Sequence, residues 1–148
     1  MKISTRGRYG LRAMIDLAVN ENTGATPLRS IAEREDISEQ YLEQLFASLR
    51  KAGLVKSVRG AHGGYLLNHS PEDITVKDII NALEGPIAPV DCVISKDECD
   101  HSANCVTYEL WLNVKNNIDD LLESVTLGEL KGKYIKQKQK INNFIYHI

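Results

Sequence analysis

Apolar positions recur along this chain with two different periods, and the change between them divides it into parts. From about Arg6 to Glu21, Tyr9, Ala13, Met14, Leu17 and Ala18 fall on one side of a 3.6-residue repeat. That spacing predicts an amphipathic helix with Thr5 as its N-cap, ended by Asn22-Thr23-Gly24. Thr26-Pro27 reads as a cap followed by proline at the first helical position, and Leu28, Ile31 and Ala32 give a short second helix its inner side. Glu35-Asp36-Ile37 is a tight connection to Ser38, another N-cap, which opens a third helix reaching Ala52. Leu42, Leu45, Phe46 and Leu49 form its core stripe, and Gly53 sits where a left-handed residue closes a helix. Short helix, tight turn, longer helix is the helix-turn-helix order.

The pattern then shortens. Leu54–Arg59 and Tyr65–Leu67 read as two strands around Gly60-Ala61-His62-Gly63-Gly64, a stretch rich enough in glycine for the positive φ angles of a hairpin tip. A basic hairpin directly after a helix-turn-helix is a wing. Thr75 opens a further helix through Glu84, with Asp78 completing an approximate capping box and Gly85-Pro86 as the stop. Residues 86–104 show no periodicity. From about Cys105 a long helix is expected, because Trp111, Val114, Ile118, Leu121 and Val125 recur at alternating spacings of three and four. So narrow a stripe suits pairing with a twin, packing on its own domain being the alternative. Thr126-Leu127-Gly128-Glu129 starts one more short turn with its own capping box.

These elements predict a mainly α fold with a small β-wing: a winged helix-turn-helix domain over 1–85, a cysteine-bearing loop over 86–104, a dimerisation helix and short turn over 105–130, and a Lys-rich tail over 131–148. The 148 residues, 43% hydrophobic and 26% charged, suffice for one such domain with an added dimerisation element. No apolar run approaches the roughly 18 residues of a membrane span, and the opening Met1–Arg6 lacks the apolar stretch of a signal peptide, so a cytoplasmic protein is expected. In that reducing setting three cysteines argue for metal binding or redox sensing rather than a disulfide framework.

The net charge of −2 hides a strong segregation. Residues 1–67 hold ten Lys and Arg against seven acids, residues 72–123 three Lys against twelve acids, and the tail from Lys131 five Lys and no acid. The basic front half is where a polyanion is expected. On the third helix, Ser38, Gln40, Tyr41, Glu43 and Gln44 lie near the N-terminus, the part of a recognition helix that enters the major groove. Glutamine suits bidentate contact with adenine, glutamate accepts from cytosine N4, and serine serves either kind of base. Arg59 and Gly60 at the wing tip suit a narrow, strongly negative minor groove, with His62 beside them. Arg8, Arg50, Lys51 and Lys56 are candidates for phosphate contacts, which position without specifying sequence. His69 and His147 read as surface residues. An enzyme is disfavoured: no G-x-S-x-G, no G-x-x-x-x-G-K-[ST] and no catalytic triad accompanies the glycine hairpin.

Three stretches together carry a resemblance: Met1–Gly10 (MKISTRGRYG), Ser38–Leu45 (SEQYLEQL) and Ser57–Tyr65 (SVRGAHGGY). They closely resemble the family of small bacterial winged-helix regulators that includes the iron–sulfur cluster regulator IscR, the cysteine-metabolism repressor CymR and the nitric-oxide sensor NsrR. The likeness extends to Leu83–Ile87, Glu109–Trp111 and Thr126–Leu130. It implies a homodimer, two wings and binding to a roughly palindromic operator. In the cluster-sensing members three cysteines before the long helix hold a 2Fe-2S cluster, and Cys92, Cys99 and Cys105 match those positions. The fourth ligand departs from the pattern, because Tyr108 stands where the iron–sulfur regulator has histidine, and Arg8 where the nitric-oxide sensor has an acidic residue. His101 is then the first candidate, with Asp97, Glu98, Asp100 and Glu109 as alternatives. Zinc on Cys92, Cys99, Cys105 and His101, or bare redox-active thiols, are the other readings of the trio. The cysteine-metabolism branch lacks the trio but resembles this chain at Glu84–Val90 and in an aromatic-rich end closing with isoleucine. That likeness implies cysteine synthase as a partner, capturing the carboxylate of Ile148; a fraying tail or short helix is the alternative.

Overall fold

A computed structural model describes residues 1–95, 97 and 104–147. Among the described residues six α-helices and one hairpin follow in the order α1 (Thr5–Val19), α2 (Leu28–Glu35), α3 (Glu39–Lys51), β1 (Val55–Val58), β2 (Gly64–Leu67), α4 (Val76–Glu84), α5 (Tyr108–Ser124) and α6 (Leu127–Tyr146). The core lies where α1, α2, α3 and α4 meet, around Met14, Leu17, Ile31, Leu42, Leu45, Phe46, Leu49, Ile74 and Ile79, with Leu127 of α6 closing it. Those α1 and α3 residues are the stripes the sequence predicts.

The caps explain the boundaries. Ser38 Oγ accepts from the Tyr41 N–H at 3.1 Å, so α3 starts where expected. Thr75 and Asp78 form a reciprocal capping box at α4. Gly53 follows α3 at φ +79°, the left-handed closure the sequence implies. Two starts differ from expectation. Pro27, not Thr26, caps α2, because Thr26 is occupied by the wing: its N–H donates to the Tyr65 carbonyl at 2.9 Å and its carbonyl accepts from the Tyr65 N–H at 2.8 Å. Ser4, not Thr5, is the N-cap of α1, and its own side chain caps nothing. The Glu84 carboxylate does that work from α4, accepting from the Ser4 N–H at 2.6 Å, from the Gly7 N–H at 3.2 Å and from the Ser4 hydroxyl. A carboxylate at the positive end of a helix satisfies orphan N–H groups and the macrodipole together.

The back half corrects the sequence reading in three places. The long helix starts at Tyr108 rather than Cys105. Its stripe is split: Ile118, Leu122 and Val125 pack on Val76, Ile80 and Ile87 of the chain's own second cluster, whereas Leu110 and Leu121 stay 54% and 64% exposed. The short turn after Thr126 is a 20-residue helix that runs into the Lys-rich tail. Leu127, Leu130 and Tyr134 give α6 an inner side, Lys131 reaches Glu21 at 2.9 Å, and Tyr134 lines a small cavity with Arg12, Ile15 and Glu35. Two backbone hydrogen bonds, Val76 N–H to Val125 carbonyl at 2.9 Å and Leu127 N–H to Ile74 carbonyl at 2.8 Å, pin the α5–α6 junction to the start of α4.

Candidate nucleic-acid interface and sensor cleft

The interface is built on α3. With Leu42, Leu45, Phe46 and Leu49 buried, the helical period turns Gln40, Glu43, Gln44 and Ala47 outward, and all four are exposed. Ser38 is exposed but caps the helix, and Tyr41 is half-buried: its ring stands edge-on to Tyr9 at 6.3 Å and its hydroxyl lies 3.3 Å from Thr5 Oγ1. Arg50 and Lys51 are exposed in the last turn of α3.

The wing is held beside α3 by Phe46 against Tyr65, centroids 4.9 Å apart. Antiparallel pairing runs from Val55 with Leu67 to Val58 with Gly64. Gly64, at φ +148°, lies so close to the Thr26 carbonyl that a Cβ would overlap it, which explains the glycine at that position. Lys56, Arg59, Gly60 and His62 are exposed along the hairpin, and His62 lines a groove of about 390 Å³ shared with Thr23–Ala25 and Pro27. Arg8, on the outer side of α1, is exposed over the Tyr9 ring at 5.9 Å. The structure thus brings the α3 row and the hairpin cations to one connected framework, with Tyr41 half-buried against Tyr9.

The second site is an open cleft of about 530 Å³ lined by Pro89, Val90, Asp91, Cys92, Cys105, Thr107 and Trp111. The loop leading from α4 brings Cys92 there and the approach to α5 brings Cys105. The Thr107 hydroxyl, 3.2 Å from Cys105 Sγ, together with the backbone N–H groups of Thr107 and Tyr108, holds the Cys105 thiol below its ordinary value. The thiolate is the form that ligates metals and attacks electrophiles. Cys99, His101, Glu98 and Asp100 lie outside the described residues, as does Ile148. Asp97 and Glu109 are exposed, and among the described residues no three His, Cys, Asp or Glu side chains cluster tightly enough to hold a metal. Sequence reasoning missed Thr107, whose only signal is its place two residues past a cysteine at a helix start, and it placed Trp111 in a seam rather than in the cleft.

Comparison with known proteins gives consistent matches. The family described as Rrf2, iron-dependent transcriptional regulator, matches residues 3–133. The HTH-type transcriptional regulator CymR of Bacillus subtilis is 48% identical over 130 residues, 88% of this chain and 89% of that protein. The solved structure of CymR, the global cysteine regulator of B. subtilis, superposes with a TM-score of 0.74 at 47% identity, over 90% of this chain and 98% of that one. IscR of T. potens gives the same TM-score of 0.74 and 47% identity, over 90% and 88% of the two chains.

Proposed function

Because the chain belongs to the Rrf2 family, and is therefore a DNA-binding transcription regulator of the CymR and IscR type and not an enzyme, we propose that it is a homodimeric repressor sensing through a 2Fe-2S cluster at the cysteine cleft. Its targets would be genes of iron–sulfur cluster assembly, cysteine metabolism or both. Gln40, Glu43 and Gln44 read base edges from α3, with Ser38 and Tyr41 fixing the pose of its first turn. Arg59, Gly60 and His62 place the wing in the neighbouring minor groove, while Arg8, Arg50 and Lys56 meet phosphates. Two copies pair through the open side of α5, where Leu110 and Leu121 stand in water in the single chain. Such a dimer addresses inverted half-sites about one helical turn apart. No helix of the described residues is long and apolar enough to cross a membrane.

The observation that carries the sensing reading is the meeting of Cys92 and Cys105, from separate segments, in one cleft with Cys105 biased toward thiolate. These residues fit a thiolate-bound cluster, with Cys99 as the third thiolate and His101 as the fourth ligand. When bound, the cluster supplies a redox-active, labile group whose gain or loss changes the charge of the cleft. Anaerobic reconstitution with iron and sulfide, followed by visible spectroscopy and duplex binding at several salt concentrations, tests the whole. A reddish protein that binds an inverted repeat is expected. A colourless one that binds it leaves the thiols as bare redox sensors or zinc ligands.

A second reading is favoured by the end of α6, where Phe144, Ile145 and Tyr146 are 69%, 61% and 86% exposed. They lead to Ile148, whose carboxylate would enter cysteine synthase. Equal capture of cysteine synthase by the full chain and by one lacking Ile148 would discard this reading.

A further inference from the structure

We propose that Arg6 is a positioning residue that links the cysteine cleft to the recognition helix. This rests on the reading of α3 as the base-reading element and of the cleft as the sensor. Arg6 is a cation in a basic stretch, yet its guanidinium turns inward. Its Nε donates to the Leu83 carbonyl at 3.2 Å, in the last turn of α4, and its Nη2 donates to Ser48 Oγ at 3.1 Å, on α3. The Ser48 hydroxyl in turn lies 3.5 Å from the carbonyl of Gln44, at the limit of a hydrogen bond, one turn back along the row that faces DNA. One side chain therefore spans from the end of α4 to the backbone under a base-reading residue.

The α4 end of this span is also the root of the sensor loop. Two residues past Leu83 the chain leaves the helix at Gly85, φ +78°, and Ile87 anchors it on Val76 and Ile80 beside Ile118, Leu122 and Val125 of α5. Pro89 to Cys92 then form one wall of the cleft, and Trp111 of α5 another. Around Arg6 the crossing leaves little slack. Glu84 holds the first turn of α1 through Ser4 and Gly7, and a Cβ at Gly10 would overlap Leu83 Cδ1. A shift of the α4 end driven from the loop therefore moves α1, and Arg6 carries it to Ser48. α3 also packs on α4 directly, so the brace adds to a contact that exists without it. By thermodynamic reciprocity, a duplex seated on α3 must act back on the cleft.

Trp111 is the single tryptophan of the chain and lines the cleft, so its emission reports that back-action without any cofactor. The experiment uses the full chain and a duplex selected by it from a random pool, with a scrambled duplex as control. In the wild type the selected duplex shifts Trp111 emission and the scrambled one does not. Arg6→Lys keeps the positive charge, but one ammonium cannot reach both the Leu83 carbonyl and Ser48 in the guanidinium's fork geometry. This variant keeps the salt slope of binding and shows a clearly smaller emission shift than the wild type. Ser48→Ala removes only the α3 end of the brace and reduces the shift in the same way, which preserves the test if Arg6→Lys folds poorly. The inference is overturned if both variants keep the wild-type shift, or if the wild type binds its duplex with no change at Trp111. Failure of the wild type to select any duplex overturns the reading of α3 instead.

Discussion

Asp16, 2% exposed on α1, is held by Arg34 of α2 through a fork: Nε donates to Oδ2 at 2.8 Å and Nη2 to Oδ1 at 2.7 Å. Asn20 adds a third tie, its amide donating to the Asp16 carbonyl at 2.8 Å. The pair fixes the angle between α1 and α2 just above the turn that launches α3. Its hydrogen bond raises the Arg34 guanidinium above its already high value, so Arg34 stays a cation throughout the working pH range. Arg34→Ala would strand a buried carboxylate. A fully buried pair costs about 3–5 kcal/mol to break in this way. Water reaches the 42%-exposed Arg34 side, so a loss of about 2 kcal/mol is expected. Urea denaturation measures it, and a change under ~0.5 kcal/mol would remove the pair from the list of fold determinants.

Two glycines should respond in opposite directions. Gly64→Ala sets a methyl group against the Thr26 carbonyl at a left-handed φ, where backbone must give way, and a loss of about 1–3 kcal/mol with a displaced wing is expected. Gly132 lies inside α6 with nothing within 4 Å of a Cβ, so Gly132→Ala should stabilise by ~0.5–1 kcal/mol. Thermal melts of the two variants separate the cases.

How legible the fold was depends on whether a feature is local. Ser38, Gly53 and Thr75 announce their boundaries because a cap is written within three residues of itself, and the stripes of α1 and α3 need no knowledge of partners. α6 was hidden because Lys131 and Lys138 interrupt its apolar side, which then reads as a solvated tail. Thr26 and Glu84 serve elements 39 and 77 or more residues away, Thr26 by pairing with Tyr65 and Glu84 by capping α1. No window along the chain contains such a pair. The exposed α3 row was readable from periodicity, but the inward turn of Arg6 and Tyr41 was not, since a cation and an aromatic near a DNA-reading helix fit either orientation.

Base reading and phosphate binding should separate cleanly. Gln44→Ala is expected to cost about 1–3 kcal/mol per half-site on the preferred duplex and to relax preference at one position in each half-site. Lys56→Ala should weaken preferred and scrambled duplexes alike and, since each of two subunits loses one phosphate contact, reduce the salt slope by about 1.8. Titrations at several salt concentrations distinguish the two; a sequence-selective loss for Lys56→Ala would contradict the assignment.

Cys105 should react at lower pH than an ordinary thiol. Its folded-state value is depressed, chiefly by the Thr107 hydroxyl, so the thiolate is favoured by the fold and gains population as pH rises through that lower value. In cluster-free protein, iodoacetamide labelling followed by mass spectrometry should show the Cys105 rate rising earlier than in a denatured control. Thr107→Val should move the profile back toward the control. Coinciding profiles for wild type and variant would count against the Thr107 hydroxyl as the cause.

The open side of α5 can be tested without disturbing the side that packs on α4. Leu121→Asp introduces a charge at a 64%-exposed position, so the single chain should fold with less than ~0.5 kcal/mol of change. Sedimentation should show the dimer lost and, with it, selective duplex binding. A variant that remains dimeric would place the subunit contact elsewhere.

The two backbone hydrogen bonds that tie residues 125–127 to residues 74–76 hold α5, the proposed dimerisation helix, firmly to the body that carries α3. In the proposed dimer each head is therefore carried as fixed cargo, and the distance between heads is a property of the protein rather than of the operator. One base pair added between half-sites rotates the second by about a tenth of a helical turn. The duplex, bending or twisting at its own cost, would have to supply the correction.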